Sequence, residues 1–292
     1  MTAAHISTRK THTRSARSAW RPVVMTLVLA FLYLPLALVA LYSFSESKVS
    51  GVMKGFTWDW YAKLMHDGAI GQALRTSLRV AAFSCLISAP LATLGAIGLA
   101  ARETRKTGFT KLTNGVRGLI EGVTVLPVML PEVVLGMSLM AAFSMVGMRF
   151  GIWTLVAAHT TFCVPYVYLI VKSRLAGLDP QMVEAARDLG ARPARAFLDV
   201  TLPLILPAIV SGMLLAVAMS FDDVIISMFV NGAQTTTLPL KIFSSLRAGV
   251  TPEINALCTI MLGVVCLIVA LSQLLRNDKK GGTDHNETNT II

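Results

Sequence analysis

An all-α protein that crosses a membrane six times is the fold class this sequence predicts, and three observations carry it. Of the 292 residues, 54% are hydrophobic and only 14% charged, with a mean hydropathy of +0.65. A soluble domain carries about 25% charged residues. The apolar residues also come in long runs, and about 20 of them suffice for one crossing. Basic residues, finally, are segregated. Segments 1–22, 101–118, 172–205 and 276–292 hold 18 of the 26 Lys and Arg residues. The intervening segments 45–75, 147–151 and 231–252 hold seven, and Arg79 lies just inside a helix. Positive charge stays on the cytoplasmic side, so both termini are expected there. The net charge of +10 thus reports topology, and no nucleic-acid partner is needed to explain it.

Residues 1–22 form a basic N-terminal tail, 23–275 the six-helix transmembrane domain, and 276–292 a polar C-terminal tail. Pro22 opens the first span, Val23 to Phe44. A basic start before an apolar run also describes a secretory signal, but this run is about twice the length of a signal's apolar core, so an uncleaved helix is expected. The external loop 45–72 carries Phe56, Trp58, Trp60 and Tyr61. Aromatic residues anchor membrane interfaces; their faces also attract cations. A second span, 76–100, is rich in Ala, Gly and Ser, which let helices approach closely. Its Arg79 can extend to the interface.

The third span, 119–146, contains Leu126-Pro127-Val128-Met129-Leu130-Pro131-Glu132. Two prolines remove helix hydrogen bonds and bend the backbone, which membranes tolerate where freed carbonyls face protein or a wet cavity. A fourth span covers 153–171, and its His159 reads as a packed, hydrogen-bonded residue. The fifth, 206–230, carries Ser220-Phe221-Asp222-Asp223. An external segment follows, helical around 240–246, and the sixth span covers 254–275. All four cysteines (Cys85, Cys163, Cys258, Cys266) lie in apolar runs without Cys-x-x-Cys spacing, so neither a disulfide framework nor a metal site is expected.

Between the fourth and fifth spans, residues 179–203 make a polar, helix-forming loop. Asp179 can cap a helix with Pro180 in its first turn, and Gly190 can end it in a left-handed conformation. Met182, Ala185, Ala186 and Leu189 recur at helical spacing. A second short helix can start after Arg192-Pro193. The order Glu184-Ala185-Ala186, Gly190 and then Val200-Thr201-Leu202-Pro203 resembles the EAA loop of type I ABC importer permeases, with Val200 where that family carries Ile. The resemblance implies a coupling helix that docks on a cytoplasmic ATPase dimer.

Four further stretches, LPVMLPEVVLGMSL, HTTFCVPYVYLIVKSRL, SFDDVIISMFV and LPLKIFSSLRAGVTPEINAL, resemble spermidine/putrescine-type permeases. This similarity covers about 20–280 and implies a bacterial inner-membrane subunit working with a second permease and a periplasmic polyamine-binding protein. It also implies a substrate pathway through Glu132, Asp222, Asp223, Ser220 and Trp60. Elementary electrostatics agrees, because a polycation calls for spaced carboxylates with aromatic faces between them.

Enzyme chemistry finds little support. No phosphate-binding Gly-x-x-x-x-Gly-Lys-Ser/Thr loop occurs, so ATP hydrolysis is expected from a separate subunit; His-Glu-x-x-His and Gly-x-Ser-x-Gly are absent too. An intramembrane aspartyl protease needs two carboxylates converging from different helices. Asp222 and Asp223, about 100° apart on one helix, do not meet that need alone. No cofactor is expected. The remaining alternatives are a same-family importer for an amino acid or metal ion, or a stand-alone secondary transporter. The sequence does not say which of Asp222 and Asp223 faces the pathway.

Overall fold

The computed structural model describes residues 20–47, 52–101 and 110–281. The tails at 1–19 and 282–292 and the basic loop at 102–109 lie outside the described residues. Among those described, all regular elements are helical. In chain order they are α1 (Trp20–Tyr42), α2 (Asp59–His66), α3 (Gly68–Ala101), α4 (Thr110–Met129), α5 (Glu132–Met145) and α6 (Ile152–Ala176). Then come α7 (Pro180–Asp188), α8 (Pro193–Ala196), a π-helical turn (Phe197–Thr201), α9 (Leu202–Asp222), α10 (Ile225–Val230), α11 (Leu238–Ala248) and α12 (Pro252–Gly281). The chain divides into two units, one with α1, α2 and α12, the other with α3 through α11.

In the first unit α1 and α2 both pack on α12. Phe44 stacks on Phe56 at 5.1 Å and meets Trp58 edge-on at 4.8 Å, while the Ser43 hydroxyl and the Tyr61 hydroxyl lie 2.7 Å apart. The large apolar side chains of α1 remain exposed, as a lipid-facing helix requires.

The second unit is built around α3, α6 and α9, which pack mutually. Val80, Leu155, Val167, Tyr168, Val171 and Ile205 are fully buried there. Hydrocarbon gives no hydrophobic drive between helices, so close packing must hold them. Gly212 shows how close it is: a Cβ there would sit 3.1 Å from Val167 Cγ1 and 3.3 Å from its Cα. The buried Cys85 and Cys163 thiols each donate to an α9 carbonyl, those of Met213 and Ala216, at 3.5 Å.

Among the described residues, four helical stretches are long and apolar enough to cross a membrane, α1, α3, α6 and the run Pro193–Asp222; a bent pair makes up to five. The sixth expected span falls on α12, whose described apolar part is Pro252–Leu267. The expected third span is interrupted. Gly115–Met129 and Glu132–Met145 meet at 112°, because Pro131 has no amide to donate and pushes Leu130 away from helical torsions. The second span begins earlier than expected, at Gly68, since Asp67 Oδ1 accepts from the amides of Ala69 (2.8 Å) and Ile70 (3.4 Å). The fifth expected span is likewise two pieces, α9 and α10. Outside the spans, α2 adds a helix to the aromatic loop, and α11 covers the expected 240–246 helix, its Leu238 amide donating to Ser77 Oγ of α3 at 2.8 Å.

Candidate functional site

The break between α9 and α10 gathers the most concentrated polar chemistry of the second unit. Asp222 closes α9 with its side chain exposed. Asp223 leaves the helix at φ −67°, ψ 129° and turns inward, 9% exposed. A new helix then starts with donors that lack intrahelical acceptors. Asp223 satisfies two of them: Oδ1 accepts from the Ile226 amide at 3.1 Å, and Oδ2 from the Ser227 amide at 2.7 Å. From α6, the fully buried His159 fills the same corner. Its Nδ1 lies 2.7 Å from Ser220 Oγ, its Nε2 3.0 Å from Ser227 Oγ and 3.5 Å from Asp223 Oδ2.

The other break contributes Glu132, the exposed first residue of α5. One turn on, Gly136 faces α10 so closely that a Cβ would lie 2.7 Å from Phe229 Cδ2 and 3.4 Å from Ile226 Cα. Residues i and i+4 share a helix face, so Glu132 belongs to the side of α5 that carries this contact. The two interrupted helices are therefore joined through α5 and α10, with Glu132 leading one and Asp222 ending the piece before the other.

The adjacent aspartates are not on one helix, as sequence spacing suggested; the break separates an exposed Asp222 from an internal Asp223. Ser220 is buried and occupied by His159. Trp60 belongs to α2 in the first unit. Its Nε1 donates to the Ser45 carbonyl at 2.8 Å, and Lys63 Nζ stands 5.7 Å from the ring centroid while pairing with Glu253 at 3.1 Å. Sequence reasoning missed the role of Ser227 and the convergence on His159. The available signal was a histidine in an apolar span together with serines either side of Asp222-Asp223, since polar groups in hydrocarbon need partners on neighbouring helices.

The 179–203 loop folds as two short helices. Asp179 Oδ1 accepts from the Gln181 amide at 2.9 Å and caps α7, with Pro180 following. At the other end Gly190 takes φ +88°, its amide donating to the Arg187 carbonyl at 2.9 Å while the Ala191 amide reaches Ala186 at 3.1 Å. This pair of bonds is a Schellman closure. Val183 and Ala186 are the half-buried residues of α7, which packs on α8 and the π turn. Glu184, Ala185 and Gly190 are exposed, as are Met182 at 47% and Leu189 at 91%. Of the apolar face that the helical spacing suggested, Met182, Ala185 and Leu189 are thus turned outward and Ala186 alone is partly covered.

A helical membrane domain with interrupted helices, a polar hinge and a capped helix pair presented to solvent has the construction of a transport permease. The chain belongs to the family described as binding-protein-dependent transport system inner membrane component, whose profile matches residues 96–278. It is 40% identical to the spermidine/putrescine transport system permease protein PotC of Haemophilus influenzae, over 87% of this chain and 95% of that protein. Identity is 41% with the putrescine transport system permease protein PotI of Escherichia coli K12, covering 86% of this chain and 89% of the relative. Among solved structures, a bacterial ABC transporter importing the acidic polysaccharide alginate matches with a TM-score of 0.66 at 14% identity, over 92% of this chain and 99% of that one. An amino acid ABC transporter with histidines matches with a TM-score of 0.53 at 18% identity, over 77% and 99%. At such identities these two speak for the fold alone. The chain is a multi-pass inner-membrane transport component with the fold of ABC importer permeases.

Asp223→Ala strands the Ile226 and Ser227 amides, and an unsatisfied buried donor costs about 1–3 kcal/mol. Thermal unfolding of the purified protein in detergent should therefore show a Tm several degrees below the parent, with Asp222→Ala close to it. Equal values for the two variants would contradict the different roles read from the break.

Proposed function

We propose that this chain is the membrane permease subunit of an ATP-driven importer of polyamines, putrescine and spermidine being the substrate class. The observation that carries this reading is the near full-length similarity to permeases named for those substrates. The chemistry of the site supports it. An Asp at a helix centre costs about 2.5–3.5 kcal/mol to place in a membrane. Exposed carboxylates at helix breaks offset that cost when they face water or a cation. Glu132 and Asp222 are such carboxylates, and each can take an ammonium group through charge-assisted hydrogen bonds. Asp223 and Ser220 support the pathway from within. Trp60 offers a ring whose face already has an ammonium, that of Lys63, near it.

The working assembly pairs this permease with a second, paralogous one, two cytoplasmic ATPase subunits that hydrolyse ATP, and a periplasmic binding protein that delivers the polyamine. Residues 23–275 form the permease domain, both tails lie in the cytoplasm, and 179–203 is the coupling loop. Glu184, Ala185, Ala186 and Gly190 belong to the surface that meets the ATPase. From Pro193 to Asp222 the chain is one helical run of 30 residues, about 45 Å at 1.5 Å per residue. Motion imposed on the loop by the ATPase therefore reaches the break at Asp222 through continuous helix. A same-family importer of an oxyanion would not carry these acids.

Replacing Glu132 by Gln or Asp222 by Asn keeps shape and removes charge. ATP-dependent putrescine uptake per assembled complex is expected to fall tenfold or more for each, about 1.4 kcal/mol per tenfold. Uptake at the parent rate in both variants would remove the acids from the pathway.

Gly190→Leu tests the loop separately. A Cβ at Gly190 meets nothing within 4 Å, so the effect comes from the left-handed backbone, where a side chain costs about 1–2 kcal/mol. The variant should insert normally and lose substrate-stimulated ATP hydrolysis; retention of full stimulation would make the loop a plain connector.

A further inference from the structure

The interruption after Asp222 comes from neither of the usual helix breakers. From Met219 to Val230 the chain reads MSFDDVIISMFV, with neither Gly nor Pro, the usual causes of a break in an otherwise continuous helix. In such a helix the Ile226 and Ser227 amides would donate to the carbonyls of Asp222 and Asp223. They donate instead to the Asp223 carboxylate, at 3.1 and 2.7 Å, and the first intrahelical bond of the next piece runs from Met228 to the Val224 carbonyl at 2.9 Å. A side chain has displaced the backbone, and His159 of α6 lies against it.

We propose that His159 is a positioning residue for transport. With Ser220 and Ser227 it holds Asp223 on the first turn of α10, which ends α9 at Asp222 and keeps the Asp222 carboxylate turned outward. The geometry is specific to the broken state. Seven residues rise about 10.5 Å in a continuous helix, whereas one imidazole bridges Ser220 and Ser227 with contacts of 2.7 and 3.0 Å. Straightening the helix moves the two hydroxyls apart and breaks the bridge. The ring chemistry fits as well. Nε2 faces two acceptors, Ser227 Oγ and Asp223 Oδ2 at 3.5 Å, so the proton belongs there, and Nδ1 accepts from the Ser220 hydroxyl. His159, Asp223, Ser220 and Ser227 are all buried, so none needs to touch substrate. The effect on uptake rests on the proposed cation path; the effect on the break does not.

The test uses the whole transporter in right-side-out membrane vesicles. Cys258 and Cys266 are replaced by Ser, and Asp222→Cys reports exposure through its rate of reaction with a cationic methanethiosulfonate. His159→Ala and Ser227→Ala should each slow that reaction tenfold or more, and His159→Gln, which retains a donor and an acceptor, should recover most of the rate. With Asp222 native, His159→Ala should raise the KM for putrescine at least tenfold, and add little in an Asp222→Asn background. Ser227→Ala loses only one hydroxyl and carries the test if His159→Ala does not insert. Unchanged reactivity of the thiol introduced by Asp222→Cys, in variants that insert, overturns the proposal. Slowed reactivity with an unchanged KM overturns instead the passage of cations past Asp222, so the two failures are distinct.

Discussion

Within hydrocarbon, a backbone amide that leaves its helix must find an acceptor in the protein. The second unit depends on how it meets that demand at Asp223. The carboxylate takes the Ile226 and Ser227 amides at 3.1 and 2.7 Å, and this allows α9 to stop and α10 to start in a new direction. Asp222 is exposed because its neighbour is committed inward. α10 then lies against α5 at Gly136, one turn beyond Glu132.

The same run of chain links this junction to the 179–203 loop. Pro203 offers no amide to the preceding turn, and the helix widens there into the π turn Phe197–Thr201 without stopping. Arg174 Nε, near the end of α6, donates to the Leu204 carbonyl at 3.0 Å and ties α6 to the start of α9. Farther along, Gly212 lets α9 sit against Val167, and the thiols of Cys85 and Cys163 bond to α9 carbonyls. The 179–203 loop and the break at Asp222 are thus joined by a packed helix.

What could be read in the sequence followed from physics with a local signature. Apolar run length and the segregation of Lys and Arg outlined the spans. Asp179, Pro180 and Gly190 marked both ends of α7, because capping and left-handed closure depend on residues within a few positions. Pro127 and Pro131 announced a bend, although its 112° depends on packing. The interruption at Asp223 was harder to read, since the inward turn of its carboxylate is met by His159, more than sixty positions away. The outward turn of Met182 and Leu189 was hidden for a similar reason: helical spacing locates an apolar face without naming what covers it. Asp67 caps α3 through the Ala69 and Ile70 amides, so the helix begins eight residues before the expected span.

The proposed passage of polyamine cations by way of carboxylates at the helix breaks is open to direct measurement. Reconstituting the permease in liposomes with the partners proposed above, a second permease, ATPases and a binding protein, permits one decisive competition. ATP-dependent uptake of labelled putrescine is measured against spermidine, a monoamine, an uncharged diol of putrescine's length and an amino acid. Spermidine should compete strongly, the monoamine weakly and the diol and amino acid not at all. Equal competition by the diol or the amino acid, or no ATP-dependent accumulation of putrescine, would contradict it.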